Sequence, residues 1–258
     1  MTTEAPSLTH SRDLIHVLVA KELKVRYRST FLGYAWSLLH PLAFATVFFI
    51  LFRVVMRIEM ENYALFLIAG LFPWQWFQNS LTSASQLFLN NRTLIKKVRF
   101  PRSFLVVAGV TNDLIHFAIS IPVILGFMLH FRVYPTWTWM WAVPILIVMQ
   151  LALTYGLALV FATGNLFFRD LERLVLILTM LWFYLTPVLY PVSMIPERWR
   201  WAVYVNPAAP VILSWKSVFL QGVLPMDLLG AGVCWALVGA VAGQWLYSKL
   251  EWRFAEVV

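Results

Sequence analysis

The side chains best suited to moving protons in this sequence are Asp113 and His116, which lie one helical turn apart in an apolar stretch. A carboxylic acid inside a membrane costs about 2.5–3.5 kcal/mol on insertion scales, so it needs a partner or a water-filled cavity. Two interpretations follow: a proton relay, or a hydrogen bond between helices that satisfies the acid. Because this acid–histidine pair stands alone, the interhelical hydrogen bond is favoured.

Other catalytic chemistry is missing from the sequence. None of the eleven glycines is followed by lysine, so the chain has no P-loop with which to hold ATP. The five histidines form neither an H-x-x-x-H nor an H-E-x-x-H pattern, and no Ser nucleophile elbow occurs. We therefore expect no enzyme, no metal site and no cofactor on this chain.

The composition is typical of an integral membrane protein. Of 258 residues, 61% are hydrophobic and only 12% are charged, against about 25% charged residues in soluble domains. The single cysteine, Cys234, lies in an apolar run and excludes a disulfide within the chain. The net charge of +8 indicates membrane topology and attraction to lipid headgroups rather than binding of nucleic acid.

We predict an all-α integral membrane protein with six transmembrane helices, each long enough to cross about 30 Å of hydrocarbon. The predicted spans are about 31–52, 63–89, 104–131, 139–168, 171–190 and 228–248. Pro73 interrupts the second span, and the stretch from Gln78 to Gln86 is polar, so this span should face protein or a water-filled pathway.

The distribution of cations predicts the orientation. Fourteen of the twenty Lys and Arg residues fall on one side of the six-span arrangement, and six fall on the other. Cytoplasmic loops carry the excess of Lys and Arg, so both termini are predicted to be cytoplasmic.

A basic segment precedes the first span and is predicted to form an interfacial helix over about 12–29. Its cations are Lys21, Lys24, Arg26 and Arg28. Each Lys or Arg near an anionic leaflet contributes about 1 kcal/mol of attraction, so these side chains are predicted to contact headgroup phosphates. An ordinary positive flank with a purely topological role is the alternative.

The loop at about 90–103 combines five cations with apolar residues at helical spacing. The apolar residues are Leu94, Ile95, Val98 and Phe100. This pattern favours a short helix that docks on a partner or on the membrane surface, whereas a topology signal alone explains only the charges. A second cytoplasmic contact is predicted at the turn with Arg169 and Asp170, where a solvated cap is the alternative.

The region at about 191–227 is rich in proline and aromatic residues, which predicts short re-entrant or interfacial helices at the outer leaflet. Further aromatic residues lie near the span boundaries and inside the spans: Tyr34, Trp36, Trp74, Trp76, Phe77, Trp182 and Tyr184. Sugars present C–H faces that stack on aromatic rings, so these residues are candidates for the lining of a polysaccharide conduit. An aromatic belt at the membrane boundary is the alternative interpretation.

Four motifs follow one another in a specific order. They are LGYAWSLLHPL at Leu32–Leu42, NRTLIKKVRFPRS at Asn91–Ser103, FFRDLERLV at Phe167–Val175, and TPVLYPVSMIPERWR with NPAAPVI between Thr186 and Ile212. Together they resemble the permease subunit of type-2 ABC exporters for cell-surface polysaccharides, a group that covers O-antigen, teichoic acid and capsular polysaccharide exporters. The resemblance covers nearly the whole chain.

The resemblance implies six spans in a bacterial inner or plasma membrane, and a working assembly of two permease copies with two ATPase subunits. The ATPases would hold ATP and Mg²⁺, and a lipid-linked polysaccharide would pass between the two permeases. The basic residues of the interfacial helix would then meet the pyrophosphate of the lipid carrier. The docking helix would be the coupling helix, with Lys96, Lys97 and Arg99 beside the apolar residues named above.

One departure from the family pattern is the stretch LSWKSVFL, in which Lys216 is the only charged residue. Relatives often carry an acid or an arginine near this point, so the resemblance implies no role for Lys216. Two other functions remain: a type-2 ABC exporter of small lipids or drugs, and a proton-coupled secondary transporter in which Asp113 would titrate.

Overall fold

The computed structural model describes residues 8–26, 33–55, 57, 61–98 and 100–254. Within these ranges the chain is helical and contains no β-strand. The predicted all-α fold is therefore confirmed for the described residues. Arg28 and Arg99 lie outside them, as do residues 27–29 at the end of the predicted interfacial helix.

The α-helices follow one another along the chain as numbered here. They are α1 (Leu8–Arg26), α2 (Trp36–Phe49), α3 (Tyr63–Asn90), α4 (Arg92–Lys97), α5 (Ser103–His130), α6 (Trp139–Phe167), α7 (Leu171–Leu185), α8 (Ala202–Val205), α9 (Ala209–Gln221) and α10 (Met226–Leu250). A π-helical turn, Ile50–Val55, extends α2. Short 3₁₀ turns occur at Gly33–Ala35, Val192–Met194, Glu197–Trp199 and Glu251–Arg253.

Three helical segments of the described chain are long and apolar enough to cross a membrane: Ser103–His130, Trp139–Phe167 and Met226–Arg253. Leu38–Phe49 is apolar but shorter. Although α3 has 28 residues, the polar side chains of its second half lower its hydropathy. The arrangement with six spans stays a prediction.

The fifth predicted span differs most from the structure. We predicted 171–190, but α7 ends at Leu185 and Thr186 is extended, with φ −92° and ψ 135°. The next residue is Pro187, whose ring disfavours the helical conformation at the residue before it. The chain therefore leaves the helix one turn earlier than its hydropathy indicates.

The core is organised around α3, which packs against α2, α5, α6, α7 and α9. Most of its side chains are buried, including those of Trp74, Trp76 and Phe77. Gln150 of α6 is fully buried beside the proline of α3: its amide Nε2 donates to Pro73 O at 2.8 Å. Its Oε1 accepts from Trp215 Nε1 of α9 at 2.7 Å, so one amide joins three helices.

Two small-residue faces let α6 and α10 approach closely. A methyl group added to Gly156 would overlap the backbone of Gly239, and one added to Gly243 would overlap the backbone of Gly156. Tyr155 also donates a hydrogen bond to Gln244 Oε1 at 3.1 Å across this contact. Helices pack this closely in membranes where glycine removes the side chain from the interface.

We predict that Gly156→Ala lowers the thermal midpoint of the detergent-solubilised protein, because overpacking a close helix contact costs about 1–3 kcal/mol. The matched control is Gly230→Ala in α10, where an added methyl group meets no atom within 4 Å. Its midpoint should be unchanged or higher. Equal midpoints for the two variants would contradict the close packing of α6 and α10.

Candidate functional site

The loop predicted to dock on a partner contains α4, which is separated from the end of α3 by a single residue, Asn91. Ile95 is buried at 8% exposure, and Leu94 packs against the core from a partly buried position. Lys96, Lys97 and Val98 are exposed. The chain therefore anchors α4 through its apolar residues, and it exposes two lysines at the end of the helix and one valine directly after it.

Phe100, the last residue of the predicted docking set, is partly buried and packs against the core. It belongs with the anchoring side chains rather than with the exposed ones.

The junction between α3 and α4 is tied to the N-terminal helix. Asn91 Nδ2 donates to Leu87 O at 2.8 Å, and Asn91 Oδ1 accepts a hydrogen bond from Lys21 Nζ of α1. Lys21 also pairs with Glu22 at 3.2 Å. One of the predicted headgroup cations is thus engaged with the base of α4, whereas Lys24 is exposed and Arg26 ends α1.

The turn between α6 and α7 is held against the same end of α3. Asn165 Oδ1 accepts from the Glu172 backbone N–H at 3.0 Å, and the Glu172 carboxylate accepts from the side-chain amide of Gln86. Arg169 and Asp170 are exposed at the tip of the turn. Both predicted docking elements therefore contact the last turns of α3.

The end of the described chain packs beside α4. Phe254 is fully buried, with its ring centroid 5.2 Å from that of Phe88 and 5.7 Å from that of Tyr247. Arg102, just before α5, donates to Glu251 O at 3.0 Å and lies 5.6 Å from the centroid of the Phe254 ring. A cavity of about 350 Å³ separates this turn from α4.

The predicted conduit aromatics fall into two groups. Trp74, Trp76 and Phe77 are buried inside the chain, and Phe77 makes an edge contact with Trp182 at 5.2 Å between ring centroids. Trp36 and Tyr184 are more than half exposed, and Tyr34 lies in the 3₁₀ turn before α2. In this chain only the second group includes side chains that offer an open aromatic surface.

On the opposite side from α4, Asn206 connects the end of α7 to the start of α9. Its Oδ1 accepts from Trp182 Nε1 at 2.6 Å and from the Ala208 backbone N–H at 3.0 Å. Its Nδ2 donates to Thr186 Oγ1 at 3.0 Å. The short helices predicted in this region are present as α8 and α9, and this asparagine fixes their entry.

Lys216 of α9 is a basic residue in an apolar run, and the sequence predicted no role for it. It is buried at 3% exposure, and its Nζ donates to Pro187 O at 2.8 Å and to Val188 O at 2.7 Å. The same nitrogen lies 3.4 Å from the centroid of the Phe66 ring. In a continuing helix Pro187 O would bond the N–H of residue 191, which is a proline and has none.

The N–H group that Pro191 lacks was the one signal in the sequence that could have predicted a side-chain partner for the Pro187 carbonyl group. Tyr63 completes the set by donating to Leu189 O at 2.9 Å. Three successive carbonyl groups of an irregular segment are therefore satisfied by side chains, as apolar surroundings require.

In a comparison with known protein families, residues 13–219 match the ABC-2 type transporter family. The chain belongs to the ABC-2 type transporter family. It is 43% identical to the O-antigen export system permease protein RfbA of Klebsiella pneumoniae, over 95% of each chain. It is also 37% identical to RfbA of Myxococcus xanthus over 96% of each chain, and 21% identical to the polysialic acid transport protein KpsM of Escherichia coli over 92% and 93% of the two chains.

The curated relatives of this ABC-2 chain are named as permease or transport proteins, which agrees with the expectation of a permease rather than an enzyme. Asp113, the residue of the proton-relay hypothesis, accepts a hydrogen bond from Ser80 of α3 at 2.9 Å. The predicted interhelical hydrogen bond is therefore confirmed.

We predict that Phe254→Ala destabilises the detergent-solubilised ABC-2 chain by about 3–5 kcal/mol, as for other large-to-small core substitutions. A thermal or denaturant unfolding curve measures the loss. The matched control is Phe168→Ala, since Phe168 is 74% exposed in the α6–α7 turn. If both variants unfold like the unsubstituted chain, the terminal turn does not hold the α4 end of the molecule together.

Proposed function

We propose that the chain is the transmembrane subunit of an ATP-driven exporter that moves a polysaccharide out of the cytoplasm. The carrying observation is the identity of 43% over 95% of the O-antigen export permease of Klebsiella pneumoniae. The more distant similarity to a polysialic acid transport protein supports a polysaccharide as the class of substrate. A small lipid or drug as the cargo is the weaker alternative.

The energy source would be a separate ATPase, since the sequence has no P-loop. We place its docking surface at α4 and at the Arg169–Asp170 turn. Both elements contact the last turns of α3. One residue connects α3 to α4, and Gln86 of α3 donates a hydrogen bond to Glu172 beside the turn. A displacement of α4 by the ATPase would therefore be transmitted to α3 as a rigid body.

The working assembly would contain two copies of this permease and two ATPases. The helix α7 supports a second copy, because it buries one narrow stripe of Val175, Thr179 and Phe183. Seven of its other large apolar side chains are more than 40% exposed, whereas Leu171 and Trp182 pack partly buried against the core. The seven are Leu174, Leu176, Ile177, Leu178, Met180, Leu181 and Leu185. A second permease copy would cover this face, and the polymer would pass between the two.

The polymer would be lipid-linked, in a bacterial inner membrane with both permease termini in the cytoplasm. Exposed Lys24 of α1 is the described cation best placed to meet the carrier phosphates, because Lys21 is engaged with Asn91. Exposed Trp36 and Tyr184 would offer ring faces to sugars. The proton-coupled alternative is weakened by family membership and by the bond from Ser80 to Asp113.

The experiment that tests this function measures ATP hydrolysis by the permease purified with its co-expressed ATPase, in lipid nanodiscs, with and without the lipid-linked glycan of the host strain. We expect several-fold stimulation by the glycan and none by phospholipid alone. Transport that persists without ATP hydrolysis and collapses with a proton ionophore would contradict the proposal.

We predict that Val98→Asp abolishes co-purification of the ATPase, because it puts a carboxylate into an exposed apolar position beside two lysines of the docking helix. Val205→Asp is the matched control, since Val205 is 56% exposed, against 47% for Val98, but lies on α8 at the other side of the molecule. The control should keep its ATPase. Retention of the ATPase by Val98→Asp at normal permease abundance would place the docking surface elsewhere.

A further inference from the structure

A cavity of about 470 Å³ lies on the side of the molecule opposite α4. The start of α3, the segment after α7, α8, α9 and the first turn of α10 enclose it. Its volume falls in the range of about 300–1,000 Å³ that is typical of small-molecule sites. At 1.5 Å per residue, the 25 residues of α10 place it roughly 37 Å from the Arg102–Glu251 contact beside α4.

An acidic residue, Asp227, and a basic residue, Arg200, both line the cavity and are exposed. Tyr204 Oη donates to Asp227 Oδ2 at 2.6 Å, and this hydrogen bond, with some burial, raises the pKa of Tyr204. The phenol therefore stays protonated at neutral pH, and the carboxylate keeps further lone pairs for a ligand. The Arg200 Nε donates to Ile195 O at 3.4 Å and its Nη1 to Glu197 Oε1 at 3.5 Å, so its other N–H groups supply the donors.

The lining also includes neutral polar groups and apolar surface. Gln221 Oε1 accepts from Ser217 Oγ at 3.3 Å, while its amide nitrogen bonds to no other group in the described chain and is available to donate. Phe66, Leu213 and Leu220 supply apolar lining. Lys216 also lines the cavity, with its ammonium group already held by the carbonyls of Pro187 and Val188.

This combination fits a sugar better than a phosphate. Sugar hydroxyls both donate and accept, so one ring can bond to a carboxylate, a guanidinium and an amide at once, while its C–H face lies on apolar walls. A phosphate only accepts at its charged oxygens, and the Asp227 carboxylate would repel it. The phosphate of a glycerophospholipid headgroup would meet the same repulsion.

We propose that this cavity binds one or two sugar units of the exported polysaccharide on the far side of the membrane, at Asp227, Arg200 and Gln221. The proposal rests on the proposed function and assigns it an exit site. A polymer engaged there after crossing is less free to slide back between cycles of the ATPase. The site would bind the hydroxyl groups of the sugar and would not contact the lipid carrier.

The test places the photo-crosslinking residue p-benzoylphenylalanine at Leu213, inside the cavity, in cells that express the permease with its ATPase. The matched control carries the same residue at Leu237, an exposed apolar position farther along α10. Adducts are probed for the polysaccharide of the host strain by periodate oxidation and hydrazide labelling, and surface polysaccharide is measured in the same cells.

We expect a glycan adduct at position 213 and none at 237. Adding Asp227→Ala or Gln221→Leu should reduce the adduct at least tenfold, whereas Glu61→Ala, an exposed acid outside the cavity, should not. An adduct that contains only phospholipid, an unaffected adduct in the Asp227 and Gln221 variants, or no glycan adduct while export continues would overturn the exit site. Cells that display no polysaccharide even with the unsubstituted exporter would contradict the proposed function itself.

Discussion

The side-chain amide of Gln150 is the interaction on which the centre of this molecule depends. It donates to Pro73 O of α3 and accepts from Trp215 of α9, so three helices meet at one fully buried amide. A helix that contains proline and a row of polar residues is tolerated in apolar surroundings only where neighbours satisfy those groups. The bond to Pro73 O ties α6 and α9 to the middle of α3, which holds this helix at the centre of the fold.

The central position of α3 explains how the two ends of the molecule are connected. At one end Tyr63 donates to Leu189 O, and Phe66 lies under the Lys216 ammonium group. At the other end Gln86 holds the α6–α7 turn, and Asn91 links α4 to α1. Because buried helices move as packed units, a shift of α4 has a direct mechanical connection through α3 to the segment after α7. The end that carries α4 and the end that carries α8 and α9 are therefore two ends of one body.

The long apolar helices could be predicted closely, because hydropathy and helix length act locally: α5, α6 and α10 each begin and end within two residues of their predicted bounds. The end of α7 was predicted wrongly, since Pro187 acts on the residue before it inside an otherwise apolar run. The helix in the loop at about 90–103 followed from the spacing of Leu94, Ile95 and Val98. Which of them faces the core did not, because Ile95 is buried by tertiary packing that leaves no periodic signal.

The buried Lys216 is the clearest case in which a residue type makes sense only in three dimensions. A methionine of similar length would fill the space beside Gly70 and Phe66, but it would leave the carbonyls of Pro187 and Val188 without a donor. Each unsatisfied buried polar group costs about 1–3 kcal/mol, and Pro191 cannot supply the N–H that a helix would use. An arginine has donors, but its planar guanidinium group is wider than the terminal group of a lysine. The Lys216 Nζ must also lie 3.4 Å from the centroid of the Phe66 ring. Lysine thus satisfies the segment that the prolines break after α7, and that irregular segment also lines the cavity beside α8 and α9.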